Sequence, residues 1–229
     1  MELLIDNANT AKIRELVAIY PIDGVTTNPT ILAASGRPPF AVLKEIRSIL
    51  GPDGQIHAQA VSRVAEGMVK EAHAIVEALG PNTYVKIPAV PEGFKAMKQL
   101  KKDGIPFTAT AIYTPMQAYL AAKAGASYAA PYVNRIDNMG FDGIHVVKEI
   151  QDIFDKNQLP CKILGASFKN SQQVLELAKY GVGAATAAPD VIESFVKNAA
   201  IDAAVEAFIS DFEGLVGPSK TMLECVQEN

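Results

Sequence analysis

The chain has 229 residues, is 49% apolar and carries a formal net charge of -4. That length supports one large core or two small ones, and the mild acidity, with no strong basic patch, excludes nucleic acid as an expected partner. Cys161 and Cys225 match neither a disulfide framework nor a zinc spacing, which fits a reducing cytosol. The opening MELLIDNANT has neither the basic start nor the apolar run of a signal peptide. No apolar run approaches the roughly 20 residues that span a bilayer, so the expectation is a cytoplasmic protein away from membranes.

Strand-like runs recur in chain order: ELLID (2–6), DGVTTNP (23–29), QIHAQA (55–60), TYVKIP (83–88), IPFTATAI (105–112), YAAPYVN (128–134), CKILGAS (161–167) and GVGAATAAP (181–189). Segments of helical period lie between them, at 9–20, 63–79, 91–104, 114–125, 143–157, 171–181 and 189–212. Gly104, Gly125 and Gly181 stand where left-handed C-caps are wanted, and Asp190 is placed to N-cap the last long helix. Eight such alternations predict an α/β fold, a (β/α)8 TIM barrel. A doubly wound sheet gives the same alternation, but no Gly-rich phosphate loop follows an early strand. No linker divides the chain, so residues 1–229 read as one domain, with C-terminal helices from about residue 190 as an extension. The tail beyond Gly217 either docks on a neighbour or frays.

Residues two apart in a strand share a face, and barrel chemistry sits at the C-terminal strand ends. Those ends are polar here. The first carries Asp6, the second Thr26, Thr27 and Asn28, and the third Gln59 on the face of His57. The fourth carries Lys86 on the face of Tyr84, leaving Val85 and Ile87 for the helices. The fifth offers Thr108 and Thr110, the sixth Tyr132 and Asn134 with Arg135 just beyond, and the seventh Ser167 followed by Lys169. Each has a plainer use: Asp6 as a helix starter, Asn28-Pro29 as a turn, the threonines as strand formers and Tyr132 as a core aromatic. His57, His73 and His145 form no metal-ligand spacing; the last two read as helix-surface residues, and no metal or cofactor is expected. The lysine-rich run KAMKQLKKDG, at 95–104, reads as a solvated face.

A lysine inside an apolar strand is costly as an ammonium and responds by lowering its pKa. A neutral strand-borne amine attacks a carbonyl to form a Schiff base, and for that its pKa must fall from about 10.4 toward about 7. Desolvation, with Arg135 and Lys169 nearby, is the expected cause. Asp6 can stabilise the iminium or hold a substrate hydroxyl, and Gln59, Thr110 and Tyr132 can position a proton-shuttling water. Arg135, Ser167 and Lys169 have the donors a phosphate ester takes. The residues describe a metal-independent aldolase for a phosphorylated sugar.

"GVTTNPTI", "AEGM", "YVKIPAVPEGFKAMKQLKKDGI", "APYVNRID" and "LGASFKN" together resemble the small-subunit transaldolase family, which holds true transaldolases and fructose-6-phosphate aldolases. The resemblance runs from Asp6 to the final helix. It implies a (β/α)8 barrel with Lys86 as the Schiff-base lysine, and site roles for Asp6, Asn28, Thr110, the phosphate-binding Arg135 and Ser167. Two positions divide the family, and Gln59 and Tyr132 both fall on the fructose-6-phosphate aldolase side. A phenol beside a neutral amide can activate the water that protonates the enamine and hydrolyses the imine. Fructose 6-phosphate cleavage to dihydroxyacetone and glyceraldehyde 3-phosphate is therefore the expected reaction. Transaldolase is the alternative, and a non-catalytic sugar-phosphate-binding barrel ranks lower. Arg63 and the alanine-rich "GAATAAPDV" depart from the aldolase pattern. The resemblance also implies a ring-like homo-oligomer, often a decamer, with the C-terminal helix reaching a neighbour.

Overall fold

A computed structural model describes residues 1–227. Its first half runs β1 (Glu2–Asp6), α1 (Thr10–Ile19), β2 (Gly24–Thr26), α2 (Pro29–Ala34), α3 (Pro39–Leu50), β3 (Gln55–Gln59), α4 (Ala65–Leu79), β4 (Thr83–Pro88) and α5 (Pro91–Asp103). Then come β5 (Phe107–Ile112), α6 (Pro115–Ala124), β6 (Tyr128–Pro131), α7 (Val133–Asp137), α8 (Gly143–Lys156), β7 (Lys162–Gly165), α9 (Ser171–Tyr180) and β8 (Ala184–Ala187). The C-terminal helices are α10 (Pro189–Glu193), α11 (Ala199–Val216) and α12 (Met222–Gln227). The eight strands pair in chain order, all parallel, and β8 returns to β1 to close a (β/α)8 barrel.

Strand alternation divides the interior into two cores. Ile5, Val25, Ile56, Val85, Ile87, Phe107, Ala109 and Ile163 point outward and are buried under the helices. Leu4, Tyr128, Ala130, Leu164 and Ala184 point into the lumen. The strand registers stagger by one residue per strand, so the lumen fills in tiers from alternate strands. From the N-terminal end, Gly24, Tyr84, Tyr128 and Ala184 come first, then Leu4, His57, Thr108 and Leu164. Thr26, Lys86, Ala130 and Thr186 lie above them, and Asp6, Gln59, Thr110 and Ala166 form the top tier.

The elements follow local rules. Asn9, Asn28, Thr114, Asp142 and Asn170 cap their helices through the side-chain oxygen. Gly104, Gly125 and Gly181 take the left-handed C-cap conformation. Four expectations need correcting. Asp190 lies inside the short helix α10, and Asn198 caps the long helix α11. The segment 189–212, read as one helix, is two, because Asn198 ends the gap with its own side-chain cap. Strand six ends at Pro131; pairing continues only through an isolated bridge between Tyr132 and Ala166 before the chain turns into α7, so Asn134 and Arg135 ride on that helix. Pro39–Leu50 adds a helix absent from the segments read above, started by Pro39 and ended at Gly51 with φ +71°.

The chain divides into two compact units, Met1–Ile192 and Glu193–Asn229. The first is the barrel. In the second, α11 leaves Phe208 and Leu215 exposed, at 71% and 82%. No helix among the described residues is long and apolar enough to cross a membrane.

Candidate active site

Lys86 is buried, and its Nζ donates to the Thr27 carbonyl at 3.0 Å across the lumen. Burial lowers its pKa most; the Asp6 carboxylate opposes the shift and the Arg135 charge adds to it. Lys169, invoked above beside Arg135, is not a cause. It is exposed in the loop after β7, with its backbone N–H held by Gln173 at 2.7 Å.

Asp6 ends β1 and does not cap α1, a role that Asn9 fills. Thr26 Oγ1 lies 2.7 Å from both Asp6 Oδ1 and Thr186 Oγ1. Thr26 has one proton and the carboxylate can only accept, so Thr26 donates to Asp6 and Thr186 donates to Thr26. The chain of hydroxyls holds the Asp6 carboxylate at the top of the lumen. Asn28 spends its side-chain oxygen capping α2 through the Ile31 N–H, at 2.9 Å. Its amide nitrogen stays available.

On the opposite wall, Thr110 Oγ1 and the Tyr132 hydroxyl are 2.7 Å apart. Two hydroxyls share one bond, so a second proton remains for a water or substrate. Arg135 stacks on Tyr132, with Cζ 4.6 Å from the ring centroid. Tyr113 meets Tyr132 edge-on at 5.5 Å. The carbonyls of Ala166 and Ser167 accept from the Val133 and Asn134 N–H groups at 2.9 and 2.8 Å. That contact brings α7, with Arg135, to the end of β7 beside Ser167. Ser167 itself sits at φ +60°, a left-handed conformation that a serine adopts only at a cost.

Gln59 is the register partner of Lys86 and is half-buried. It also borders an apolar groove of about 610 Å³ with Leu32, Phe40 and Ile75. The Tyr132 hydroxyl is bonded to Thr110, and Gln59 lies in the same tier of the lumen as Thr110. Lys86, Asp6, Thr26, Gln59, Thr110, Tyr132 and Arg135 line one end of the lumen; Asn28 and Ser167 follow the ends of β2 and β7, and Lys169 is exposed.

Several contributors were not singled out from the sequence. Tyr113 packs edge-on against Tyr132, and Gln117 holds the segment before it. The Gln117 Nε2 donates to the carbonyls of Ala89 and Ala111 at 3.1 and 3.2 Å, while its Oε1 accepts from the Tyr113 N–H at 3.0 Å. Ala111 stands at φ +57° where the β5–β6 register shifts. That bulge turns Tyr113 toward the mouth. His57 and Thr186, deep in the lumen, complete the polar lining. His57 and Thr186 share the parity of Gln59 and Asp6, so their positions were legible; the Tyr113 placement was not, because a bulge resets alternation.

Fold and site define a (β/α)8 barrel built around a buried strand-four lysine. A profile described as Transaldolase/Fructose-6-phosphate aldolase matches residues 3–219, and the chain belongs to that family. Solved structures similar in fold include a mandelate racemase/muconate lactonizing enzyme-like protein from Rubrobacter xylanophilus DSM 9941. It matches at TM-score 0.59 and 15% identity, over 82% of this chain and 57% of that one. A mandelate oxidase mutant with a monooxide FMN adduct matches at 0.58 and 14%, over 82% and 63%. The match spans less than two thirds of either protein. The native KDPGal structure matches at 0.59 and 13%, over 83% and 84%. At these identities the likeness concerns the fold alone.

Proposed function

We propose that the protein is a Schiff-base aldolase that reversibly cleaves fructose 6-phosphate to dihydroxyacetone and glyceraldehyde 3-phosphate. The observation that carries this reading is a buried Lys86 amine facing the Asp6 carboxylate, with a bonded hydroxyl pair, Thr110 and Tyr132, on the opposite wall. The neutral amine adds to the ketone carbon of the open-chain sugar, and loss of water leaves an iminium. Removal of the proton from the fourth-carbon hydroxyl breaks the bond between the third and fourth carbons. Its electron pair passes into the iminium, giving an enamine and releasing glyceraldehyde 3-phosphate. Protonation of the enamine carbon, then addition of water to the iminium, returns dihydroxyacetone and the free amine. The free proton of the Thr110–Tyr132 pair suits it to hold that water. Asp6 faces the cation, and Arg135 and Ser167 take the phosphate.

A second reading, transaldolase, uses the same lysine and passes the enamine to an aldehyde such as erythrose 4-phosphate. It stays beside the first because the matching family profile covers both reactions. The deciding experiment supplies fructose 6-phosphate without an acceptor aldehyde. Sustained release of glyceraldehyde 3-phosphate supports the aldolase. A burst of about one equivalent that resumes only with erythrose 4-phosphate supports the transaldolase. Failure of borohydride to label Lys86 with substrate present leaves only the sugar-phosphate-binding barrel.

The expected homo-oligomer belongs to the same proposal. The exposed Phe208 and Leu215 of α11 give it an apolar surface to use. Sedimentation velocity on wild type and Phe208→Asp tests it, with a smaller assembly expected in the variant.

A further inference from the structure

Thr114 and Gln117 have the form of a capping box: Thr114 is the N-cap of α6, and its hydroxyl oxygen accepts from the Gln117 N–H at 3.3 Å. In that motif the side chain three residues on turns back to the N–H of the cap, and only its oxygen is used. Gln117 departs from the motif at both ends of its amide. Its Oε1 accepts from the N–H of Tyr113, one residue before the cap, at 3.0 Å. Its Nε2 donates to the Ala89 carbonyl, just past β4, at 3.1 Å and to the Ala111 carbonyl, in β5, at 3.2 Å. A helix cap has no use for those donors.

Both carbonyls lie where β5 bulges. From Ala109 to Ile112 β5 advances by three residues, while its partner β6 advances by two, from Ala129 to Pro131. The extra residue is taken up at Ala111, whose φ of +57° an alanine adopts only at a cost. The Thr110 carbonyl accepts from the Ala89 N–H at 2.8 Å, and the next carbonyl, that of Ala111, accepts from Gln117. The two peptide planes that follow Thr110 are thus fixed from outside the β5–β6 ladder. One is held by the corner after β4, the other by an amide bonded to that same corner.

Beyond the bulge the ladder resumes, with the Tyr132 N–H on the Ile112 carbonyl at 3.1 Å. The residues of β5 between Thr110 and that bond set where the Tyr132 backbone stands relative to the Thr110 side chain. A straightened β5 would slide Tyr132 along by one residue, about 3.3 Å. The 2.7 Å contact between the Thr110 and Tyr132 hydroxyls could not follow such a shift.

We propose, on the reading of that hydroxyl pair as the holder of the hydrolytic water, that Gln117 is its positioning residue. The amide nitrogen holds Ala111 in the bulge, and the bulge brings the Thr110 and Tyr132 hydroxyls together. Gln117 acts through the backbone of β5, since its bonds go to main-chain groups of Ala89, Ala111 and Tyr113.

Three variants separate this role from helix capping. Gln117→Glu keeps an oxygen for the Tyr113 N–H and serves a capping box equally well, but at neutral pH it has no proton for Ala89 or Ala111. Gln117→Met removes both ends of the amide without setting a charge against the two carbonyls. Gln117→Met/Ala111→Gly adds a residue that enters the left-handed region freely, so the bulge no longer depends on the clamp.

The test compares release of glyceraldehyde 3-phosphate from fructose 6-phosphate without an acceptor, the same turnover with erythrose 4-phosphate, and borohydride labelling of Lys86, with melting temperatures alongside. Acceptor-free turnover should fall by about 10- to 100-fold in Gln117→Glu and Gln117→Met, the scale of a misplaced catalytic group. Turnover with the acceptor and labelling of Lys86 should stay close to wild type, and Gln117→Met/Ala111→Gly should regain most of the loss. Gln117→Glu turning over like wild type would overturn the inference and leave the aldolase reading intact. So would a loss shared equally by all three readouts, or one that the glycine does not relieve. A wild type that releases no glyceraldehyde 3-phosphate beyond the first equivalent without acceptor would overturn the aldolase reading and the inference with it. If Gln117→Met does not fold, Gln117→Glu, which keeps the cap, decides alone.

Discussion

Thr110 Oγ1 and the Tyr132 hydroxyl are 2.7 Å apart, joining the end of β5 to the residue that caps α7. In the proposed reaction this pair handles the proton and water that free the enzyme after cleavage. Tyr132→Phe removes one of the two hydroxyls and should slow sustained release of glyceraldehyde 3-phosphate by about 100-fold, the scale of lost general acid–base help. Borohydride labelling of Lys86 should persist, and adding an aldehyde acceptor should restore turnover. Steady-state kinetics with and without erythrose 4-phosphate checks this.

Lys86→Met keeps the length of the side chain and removes the amine. Turnover should fall at least about 10³-fold, with no borohydride label. The melting temperature should hold or rise, because a thioether is cheaper to bury than an ammonium group. Thermal melts and initial rates measure both. A variant that unfolds would mean the Thr27 contact is a structural tie.

Arg135 lies over the Tyr132 ring, and Tyr113 meets that ring edge-on. Arg135→Ala should raise KM for a phosphorylated ketose by about 10- to 100-fold, as loss of a charge-assisted contact implies. Cleavage of the same sugar without its phosphate should change much less. Arg135→Lys should rescue poorly, since an ammonium lacks the planar stack. Kinetics on phosphorylated and unphosphorylated substrate pairs separate the effects.

His57 is held down from 6.5 to about 3 by burial first and the Lys86 charge second. An unfolded chain binds a proton at this position below pH 6.5, while the folded chain refuses it until about pH 3. The stability tied to this residue is therefore complete above pH 6.5 and falls as pH drops through that window, by at most about 1.4 kcal/mol per pH unit. His57→Phe should flatten the acid side of the stability profile by that slope. Urea melts between pH 4 and 7, on both proteins at one protein concentration, provide the comparison.

Alternation and capping made the barrel legible before any coordinates. Val85 and Ile87 go outward and Lys86 inward because a pleated strand leaves no other choice. The failures have local causes. The sixth strand reads through Asn134 because its polar residues follow on without a turn signal, whereas the chain enters α7 at Val133. Tyr113 escaped notice because the left-handed Ala111 resets the two-residue period before it. His57 was visible by parity but was read only as a residue outside any metal cluster. Its partner Thr108 lies two strands away, and no spacing within one segment shows a bond that crosses a third strand.

Two lumen bonds share that strand-skipping form. His57–Thr108 bridges β3 and β5 over β4, and Thr26–Thr186 bridges β2 and β8 over β1, 160 positions apart in the chain. Each can close only when the strand between is in register with both neighbours. A slip of β4 by one residue would turn Lys86 into the helical layer and put Val85 or Ile87 in its place. A slip of β3 or β5 against β4 would separate His57 from Thr108, burying a hydroxyl and an imidazole without partners. The polar lumen thus proofreads assembly: a misregistered barrel is penalised at the lysine's own level, so chains that close are chains in which the amine points inward.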